Sequence, residues 1–463
     1  MRILLVVYDN NSYIHWFPQG LAYIAAILKN SGHEVVVYNQ DLHHYPEEHL
    51  TSFLDKTKFD MVGVSIIAGY YQYRKLLDIS RAIGKSKNRP EHYILGGHGP
   101  APEPEFFLKK TEADIVVIGE GENTILELID AFANHKTLDS IDGIAYRYGN
   151  KVVVNKRREL IKDIDSIPWP AYDLFPMEYY RLLRLPHAEH NDFVLPLLSG
   201  RGCTFKCNFC YRMDKGFRPR SAEAIVEEIE YLKKDFGITY IAFSDELLMS
   251  SKKRTVEICE AFIKSKLNIK WECNGRLNYA EPEILKVMKK SGCVFINYGI
   301  EAFDDDVLKS MNKALTTNQI IKGIDATLAE GVSPGLNMLF GHIGDTRETL
   351  KKAVDFLIKY DDGAQMRTIR PVTPYPGTPL YHYAIEQGLL HDVEDFYENK
   401  HLNSDLFAVN FTDSSEDELY SELTNANVKL LENYFENKKN NMRAQTKSLY
   451  KSKDVTFRGF RQG

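Results

Sequence analysis

Short apolar runs alternate with helical patterns along most of the 463 residues, and this alternation restricts the fold more than any other feature. Runs such as residues 2–8 (RILLVVY) and 59–66 (FDMVGVSI) lack the polar alternation of a half-exposed strand, which indicates strands buried on both faces. The segments between such runs carry apolar residues at helical spacing. Strands that alternate with helices form parallel sheets, so the sequence predicts an α/β protein.

The alternation occurs in two blocks. Five strand-like runs in residues 1–135 predict a doubly wound, flavodoxin-like domain. For residues 136–190 we predict a linker with a small hairpin. About six strand–helix units in residues 191–395 indicate a full or partial (β/α)6 barrel. Residues 396–463 predict a helical segment that ends in a basic tail.

Composition restricts the class of protein and its partners. The formal net charge is -6, so the chain has no overall basic field that would attract nucleic acid or an anionic membrane. No run of about 18 apolar residues occurs, so no membrane span is expected. None of the six cysteines precedes Cys203, a distribution unlike a disulfide framework. These features predict a protein of a reducing compartment, the cytoplasm.

Three cysteines, Cys203, Cys207 and Cys210, follow the first strand of the second block in a C-x3-C-x2-C loop. The loops after barrel strands are where chemistry collects in such folds. Structural zinc prefers four ligands, usually from two pairs, and no second pair is near; His187 and His190 precede the loop without a feature that makes either a ligand. Three thiolates on a four-iron cluster would leave one iron open to a ligand. Zinc and a chance group of reduced thiols remain as alternatives.

This loop resembles that of the radical S-adenosylmethionine (SAM) superfamily. The resemblance implies that the three cysteines hold a 4Fe-4S cluster, whose open iron binds SAM and whose electron cleaves it to a 5'-deoxyadenosyl radical. It further implies that Asp245 and Glu246 face the SAM amino group, that Arg276 binds the SAM carboxylate, and that Glu301 lies near the ribose. A helix N-cap is the alternative role of the acidic pair, and a surface ion pair that of Arg276.

The order of the two blocks resembles that of cobalamin-dependent radical SAM enzymes, which include C-methyltransferases and the anaerobic Mg-protoporphyrin ester cyclase. In this subgroup the corrin lies over the strand ends of the first domain. Glycine-rich turns occur there in this chain, and glycine lets a ligand approach the backbone closely. By position, the residues that would line the cobalamin crevice are Ser65, Gly96, Gly97, Gly119, Glu120 and Gly121.

One family feature is absent from the sequence. Cobalamin domains that replace the lower axial base carry Asp-x-His-x-x-Gly after the first strand, but here His15 follows Asp9 by six residues. We therefore predict no histidine–cobalt bond. His15 and His98 are possible neighbours of the ring, with an ordinary core or surface position as the alternative. A dinucleotide fingerprint and a P-loop are also absent from the sequence of the first block.

The resemblance implies an enzyme that methylates an unactivated carbon of a small molecule or natural product. A cyclisation or another oxidation with the same cofactors is the alternative, and a non-catalytic cobalamin sensor is the alternative from a different class. An electron donor such as flavodoxin or ferredoxin is the implied partner. The sequence assigns no catalytic residue beyond the cofactor contacts, since the cofactors carry the chemistry and the protein positions them.

Overall fold

The computed structural model describes residues 1–12, 15–453 and 455, and its first sheet has seven strands in the order β2-β1-β3-β4-β5-β6-β7. The first five are mutually parallel, while β6 and β7 form an antiparallel hairpin beside β5. The hairpin predicted in the linker therefore continues this sheet. The strands are β1 (Arg2–Val7), β2 (Glu34–Asn39), β3 (Met61–Ser65), β4 (His92–Gly96), β5 (Ile115–Val117), β6 (Ile144–Tyr148) and β7 (Lys151–Val154).

Helices cover both faces of this sheet. The order 2-1-3-4-5 of its parallel strands confirms the flavodoxin-like prediction. One face packs in a core with α1 and α6, and the other with α3, α4 and α5. The helices are α1 (Gln19–Asn30), α2 (Gln40–His43), α3 (Glu47–Lys56), α4 (Tyr70–Lys85), α5 (Pro104–Lys110) and α6 (Glu122–Ala133).

The second sheet has six parallel strands in the order β15-β14-β13-β12-β11-β8, which confirms a (β/α)6 barrel. The order places β8 and β15 at the two edges, so the barrel is partial. A short antiparallel ladder of β9 and β10 follows the first barrel strand. The strands are β8 (Val194–Leu197), β9 (Gly200–Arg201), β10 (Arg218–Pro219), β11 (Tyr240–Phe243), β12 (Lys270–Gly275), β13 (Cys293–Glu301), β14 (Ser333–Phe340) and β15 (Ile369–Pro371).

Ten further α-helices follow in the part of the chain that the structure describes. In the described part, no helix combines the length and apolarity that a membrane crossing requires. These ten helices are α7 (Met177–Tyr180), α8 (Ala222–Phe236), α9 (Lys252–Lys264), α10 (Pro282–Lys290), α11 (Asp305–Ser310), α12 (Thr317–Ala329), α13 (Arg347–Lys359), α14 (Pro379–Glu386), α15 (Val393–Asp395) and α16 (Glu416–Ser452). Of the basic tail predicted at the C-terminus, residues 454 and 456–463 lie outside the described residues.

The segment between α14 and α16 returns from the barrel to the first domain. Tyr397 packs against Tyr73 of α4 with ring centroids 4.7 Å apart, in the same core as Phe107 of α5. Glu398 accepts a hydrogen bond from the Tyr73 hydroxyl and forms an ion pair with the Arg74 guanidinium, with an N–O distance of 2.8 Å. The C-terminal region thus ties the barrel to the outer face of the first sheet.

A buried ion pair fixes the end of β8, just before the cysteine loop. The side chains of Arg220 and Glu228 are 6% and 1% exposed and lie 2.5 Å apart. The Tyr172 hydroxyl donates to Glu228 at 2.8 Å, and Arg220 also donates to the Leu198 carbonyl at 3.0 Å. The pair therefore joins the linker, α8 and the residue that follows β8.

We predict that Glu228→Ala strongly destabilises the protein, because it leaves the Arg220 guanidinium buried without a counterion. Loss of one partner of a buried pair costs about 3–5 kcal/mol. The matched control is Glu127→Ala, since Glu127 pairs with Arg158 but its side chain is 47% exposed, and exposed pairs contribute at most about 1 kcal/mol. Thermal unfolding midpoints at one scan rate check this; equal shifts for the two variants would contradict it.

Candidate cofactor and active site

A cavity of about 620 Å³ lies between the two domains, at the carboxyl ends of strands from both sheets. The first domain contributes the ends of β1, β3, β4 and β5, and the barrel contributes the segments after β8 and β11. Ligands of open α/β sheets and of parallel barrels both bind at such ends. All six residues predicted to contact cobalamin line this cavity: Ser65, Gly96, Gly97, Gly119, Glu120 and Gly121.

The glycines let backbone form part of the cavity wall. Gly97 has φ +91°, and a Cβ there would lie 2.3 Å from the Ile66 carbonyl oxygen. At Gly96 and Gly119, no heavy atom of the described residues lies within 4 Å of the position a Cβ would take. The wall therefore has open space where side chains would otherwise project, which fits a large flat ligand such as a corrin.

Two histidines considered from the sequence lie on the wall of this cavity. His98 packs edge-on to Tyr211, with ring centroids 6.3 Å apart, and His15 approaches from the segment before α1. Burial lowers the pKa of both imidazoles. They are therefore neutral polar groups beside the ligand space at ordinary pH.

The cysteine loop is closed at its base by the β9–β10 ladder and by a bridge between Cys203 and Lys215. Gly202 enters the loop with φ +85°, and a Cβ there would lie 2.4 Å from the Gly216 carbonyl oxygen. Only glycine fits this position without backbone movement. The ladder and the bridge thus fix the base of the loop that carries Cys203, Cys207 and Cys210.

The three thiols influence one another electrostatically. Burial, and then the neighbouring Cys207 and Cys203, raise the pKa of the Cys210 thiol to about 11. Burial also raises the pKa of Cys203. No three His, Cys, Asp or Glu side chains of the described residues converge on the space of a single metal ion. A four-iron cube is larger than one ion and takes one thiolate on each of three irons, so a donor set of three mutually repelling thiolates fits it.

A buried network supports the loop from behind. The Asn208 side chain donates to the Ser310 carbonyl at 2.9 Å, and its oxygen lies 3.0 Å from His342 Nε2. His342 is fully buried, and burial lowers its pKa to about 4, so the ring is neutral. His342 Nδ1 lies 3.1 Å from the Ser310 hydroxyl. The sequence gave no indication that Asn208, Ser310 and His342 form a network.

The predicted acidic pair divides into two roles. Asp245 is buried, accepts from the Ser199 amide and hydroxyl at 2.8 Å each, and has its pKa raised to about 6 by burial. Its carboxylate is thus directed to the end of β8. Glu246 accepts from the Gly202 amide at 3.2 Å beside the cysteine loop and lines the cavity. Both residues line the cavity, but Ser199 engages the Asp245 carboxylate, so Glu246 is the better placed of the two to bind a ligand.

Arg276 lies under the cysteine loop. Its guanidinium stacks 3.5 Å from the centroid of the Phe205 ring and donates to the Lys313 carbonyl at 2.5 Å. Its Nε is buried and has no hydrogen-bond partner among the described residues. A buried cation with a free donor fits a carboxylate ligand. The surface ion pair considered as its alternative role is not the arrangement found.

Glu301 ends β13 at a break in strand register, with φ +72°. Its carboxylate accepts from the Lys313 ammonium at 3.0 Å. Lys313 is a residue that the sequence gave no reason to select, because it follows α11 in a loop without a recognised motif.

Glu120 links the cobalamin side of the cavity to the cluster side. Its carboxylate accepts from Arg201 at 2.8 Å, from Arg218 at 2.9 Å and from the Ile161 amide at 2.8 Å. Arg201 also pairs with Glu122 at 2.5 Å, and these four side chains are at most 17% exposed. The side chain of Glu120 thus contacts the barrel, although the residue lines the cavity as predicted. We call these four residues the interdomain clamp.

Comparison with known proteins agrees with this geometry. The B12 binding domain model matches residues 6–129, and the Radical SAM superfamily model matches residues 197–357, which include the cysteine loop. A relative named uncharacterized methyltransferase PH0819, from Pyrococcus horikoshii, is 31% identical over 402 residues, which are 84% of each chain. The chain belongs to the cobalamin-dependent radical SAM enzymes. Its cofactors are therefore a 4Fe-4S cluster, SAM and cobalamin, and the zinc alternative is set aside.

Other relatives of this radical SAM enzyme differ in their reactions. The anaerobic magnesium-protoporphyrin IX monomethyl ester cyclase of Rubrivivax gelatinosus is 26% identical and covers 82% of this chain and 69% of its own. The methyltransferase TsrM from Kitasatospora setae aligns with TM-score 0.69 and 18% identity over 83% of this chain and 75% of its own. The enzyme OxsB aligns with TM-score 0.71 and 20% identity over 91% of this chain and 65% of its own. The two solved structures show the shared fold.

We predict that Gly202→Ala lowers the iron content of the anaerobically purified enzyme, because the added Cβ would collide with the Gly216 carbonyl and displace Cys203. The matched control is Gly216→Ala, which has nearly the same backbone strain (φ +81°) but no heavy atom of the described residues within 4 Å of the added Cβ. Iron per chain checks this. Equal iron in Gly202→Ala and the wild type would show that the loop tolerates the collision.

We also predict that Gly96→Val weakens cobalamin binding at least tenfold without lowering the unfolding temperature of the cobalamin-free protein. The backbone of Gly96 lies outside the positive-φ region, so the isopropyl group enters the open cavity without backbone strain. Gly96→Ala, which adds one methyl group, is the graded control and should weaken binding less. Titration with hydroxocobalamin checks both; unchanged affinity for the valine variant would place the corrin elsewhere.

Proposed function

We propose that this radical SAM enzyme is a C-methyltransferase that acts on an unactivated carbon of a small molecule. The observation that carries the proposal is the shared cavity, because the predicted cobalamin contacts and the segment around the cysteine loop open into one space. A methyl donor and a radical source can react with one substrate only if they face the same enclosed volume. The relative from Pyrococcus horikoshii, named a methyltransferase, supports this choice.

The protein's own residues bind and orient. When bound, the cluster and SAM supply a hydrogen-abstracting radical, and cobalamin supplies a transferable methyl group. In this proposal Cys203, Cys207 and Cys210 hold the cluster. Glu246 receives the SAM amino group, while Arg276, with its free buried Nε, receives the carboxylate.

Two further predicted residues take modified roles in the proposal. Asp245 is a positioning residue, since its hydrogen bonds to Ser199 fix the strand end that precedes Glu246. Glu301 lies on the ribose side and is oriented by Lys313. The interdomain clamp and the segment between α14 and α16 keep the two domains together around the cavity. This limits the access of water to the reactive site.

Oxidative cyclisation is the second candidate. The similarity to the Rubrivivax gelatinosus cyclase over 82% of this chain favours it, and the same cavity would serve. Both reactions need an external electron, for which we propose a flavodoxin or a ferredoxin.

We predict that the enzyme purified without oxygen and with cobalamin contains about four irons and one cobalt per chain. With dithionite and SAM alone it should form 5'-deoxyadenosine, since the cluster side acts before any transfer. Replacement of Cys203, Cys207 and Cys210 by alanine is the control, which should lose iron but retain cobalt. A wild type that binds both cofactors and never cleaves SAM would favour the non-catalytic sensor.

Deuterated SAM separates the two enzymatic candidates before a substrate is known. With a low-potential reductant such as titanium(III) citrate, which reduces the bound cobalamin to Co(I), and SAM that carries a trideuterated methyl group, a methyltransferase should pass the label to its cobalamin and release S-adenosylhomocysteine. Mass spectrometry of the extracted corrinoid detects the label. A cyclase should leave the corrinoid unlabelled. An unlabelled corrinoid together with 5'-deoxyadenosine formation would therefore contradict methylation and support cyclisation.

A further inference from the structure

The loop between α11 and α12 supports the cysteine loop along its length. Residues 310–314 comprise the last residue of α11 and the start of this loop. The Ser310 carbonyl accepts from the Asn208 side chain at 2.9 Å, and the Met311 carbonyl accepts from the Asn208 backbone amide at 3.0 Å. Asn312 donates to the Lys206 carbonyl at 2.8 Å, and the Lys313 carbonyl accepts from Arg276. The segment thus touches the cysteine loop at two points and the proposed SAM carboxylate contact at a third.

The backbone around this segment is strained. Asn312 and Ala314 have φ of 54° and 52°, and Glu301, whose carboxylate faces the segment, has φ of 72°. Left-handed backbone at a non-glycine residue costs on the order of 1–3 kcal/mol and persists where surrounding contacts over-determine it. Lys313 lies between two of these residues, so its position is fixed rather than adjustable.

The Lys313 ammonium is held beside the cysteine loop. Its side chain is 6% exposed, and Nζ lies 3.0 Å from Glu301 and 5.7 Å from the centroid of Phe209, the residue before Cys210. A buried lysine requires a charged partner, and Glu301 provides it.

We propose that Lys313 and Glu301 form a charge pair that sets the reduction potential of the cluster. Lys313 is in addition a positioning residue for the cysteine loop. Reduction adds one negative charge to the cluster, and a fixed nearby cation stabilises the reduced form while a carboxylate destabilises it. Charge, burial and hydrogen bonding are the means by which proteins tune iron–sulfur potentials. This inference rests on the proposed assignment of the cluster to Cys203, Cys207 and Cys210.

The test is a potentiometric titration of the purified, cobalamin-loaded enzyme, followed by EPR of the reduced cluster. Lys313→Gln should make reduction about tenfold less favourable, and Glu301→Gln about tenfold more favourable; a tenfold change corresponds to about 59 mV for one electron. The double variant should return close to the wild-type potential, because both charges are removed. A residue that only packs against the loop would not produce shifts of opposite sign.

The matched control is Lys352→Gln. Lys352 of α13 also pairs with a carboxylate, that of Asp304, at 2.7 Å. Its side chain is 47% exposed, so we expect no shift of the reduction potential. If Lys313→Gln does not retain iron, the variants Glu301→Gln and Lys313→Arg provide the test. The proposal is supported if Glu301→Gln raises the reduction potential and Lys313→Arg leaves it unchanged. Any other result overturns the proposal. Iron missing from the wild type itself would overturn the cluster assignment.

Discussion

The buried contact of Glu120 with Arg201 and Arg218 is the interaction on which the rest of the site depends. Glu120 belongs to the glycine turn after β5, while Arg201 lies two residues before Cys203. A buried carboxylate that loses its guanidinium partners is costly, so the two turns are expected to move together or not at all. The separation between the cobalamin face and the cluster loop is thereby fixed by ion pairs at the cavity edge.

A second interface restricts the same separation from the opposite side. The return segment after α14 places Tyr397 against α4 of the first domain, and Glu398 binds Arg74 there. One interface uses compensated charge, and the other uses aromatic packing with ion pairs of Glu394 and Glu398 to Lys110 and Arg74. Rotation about one of them would open the other, so the cavity is expected to keep its shape while a substrate is bound.

The sequence predicted those parts of the fold and the site that depend on local spacing. The alternation of strands and helices identified both sheets, and the glycine turns together with the C-x3-C-x2-C loop located both sides of the cavity. It could not separate Asp245 from Glu246, because their roles are decided by Ser199 and Gly202, more than forty residues away along the chain. The sequence did not identify Lys313 and Asn208 for the same reason, since each acquires its role from tertiary contacts.

Charge compensation lowers the cost of enclosing ionisable residues in the wall of this cavity. Glu120 and Glu122 are neutralised by arginines, and Asp214 pairs with Arg218 at 2.9 Å. His15 and His98 are neutral because burial lowers the pKa of each. Glu246 lines the cavity beside the cysteine loop, and Arg276 lies under that loop. If these two groups bind the amino and carboxylate groups of SAM, as proposed, the charge of the site is concentrated at the cysteine loop, where a zwitterionic ligand would offset it.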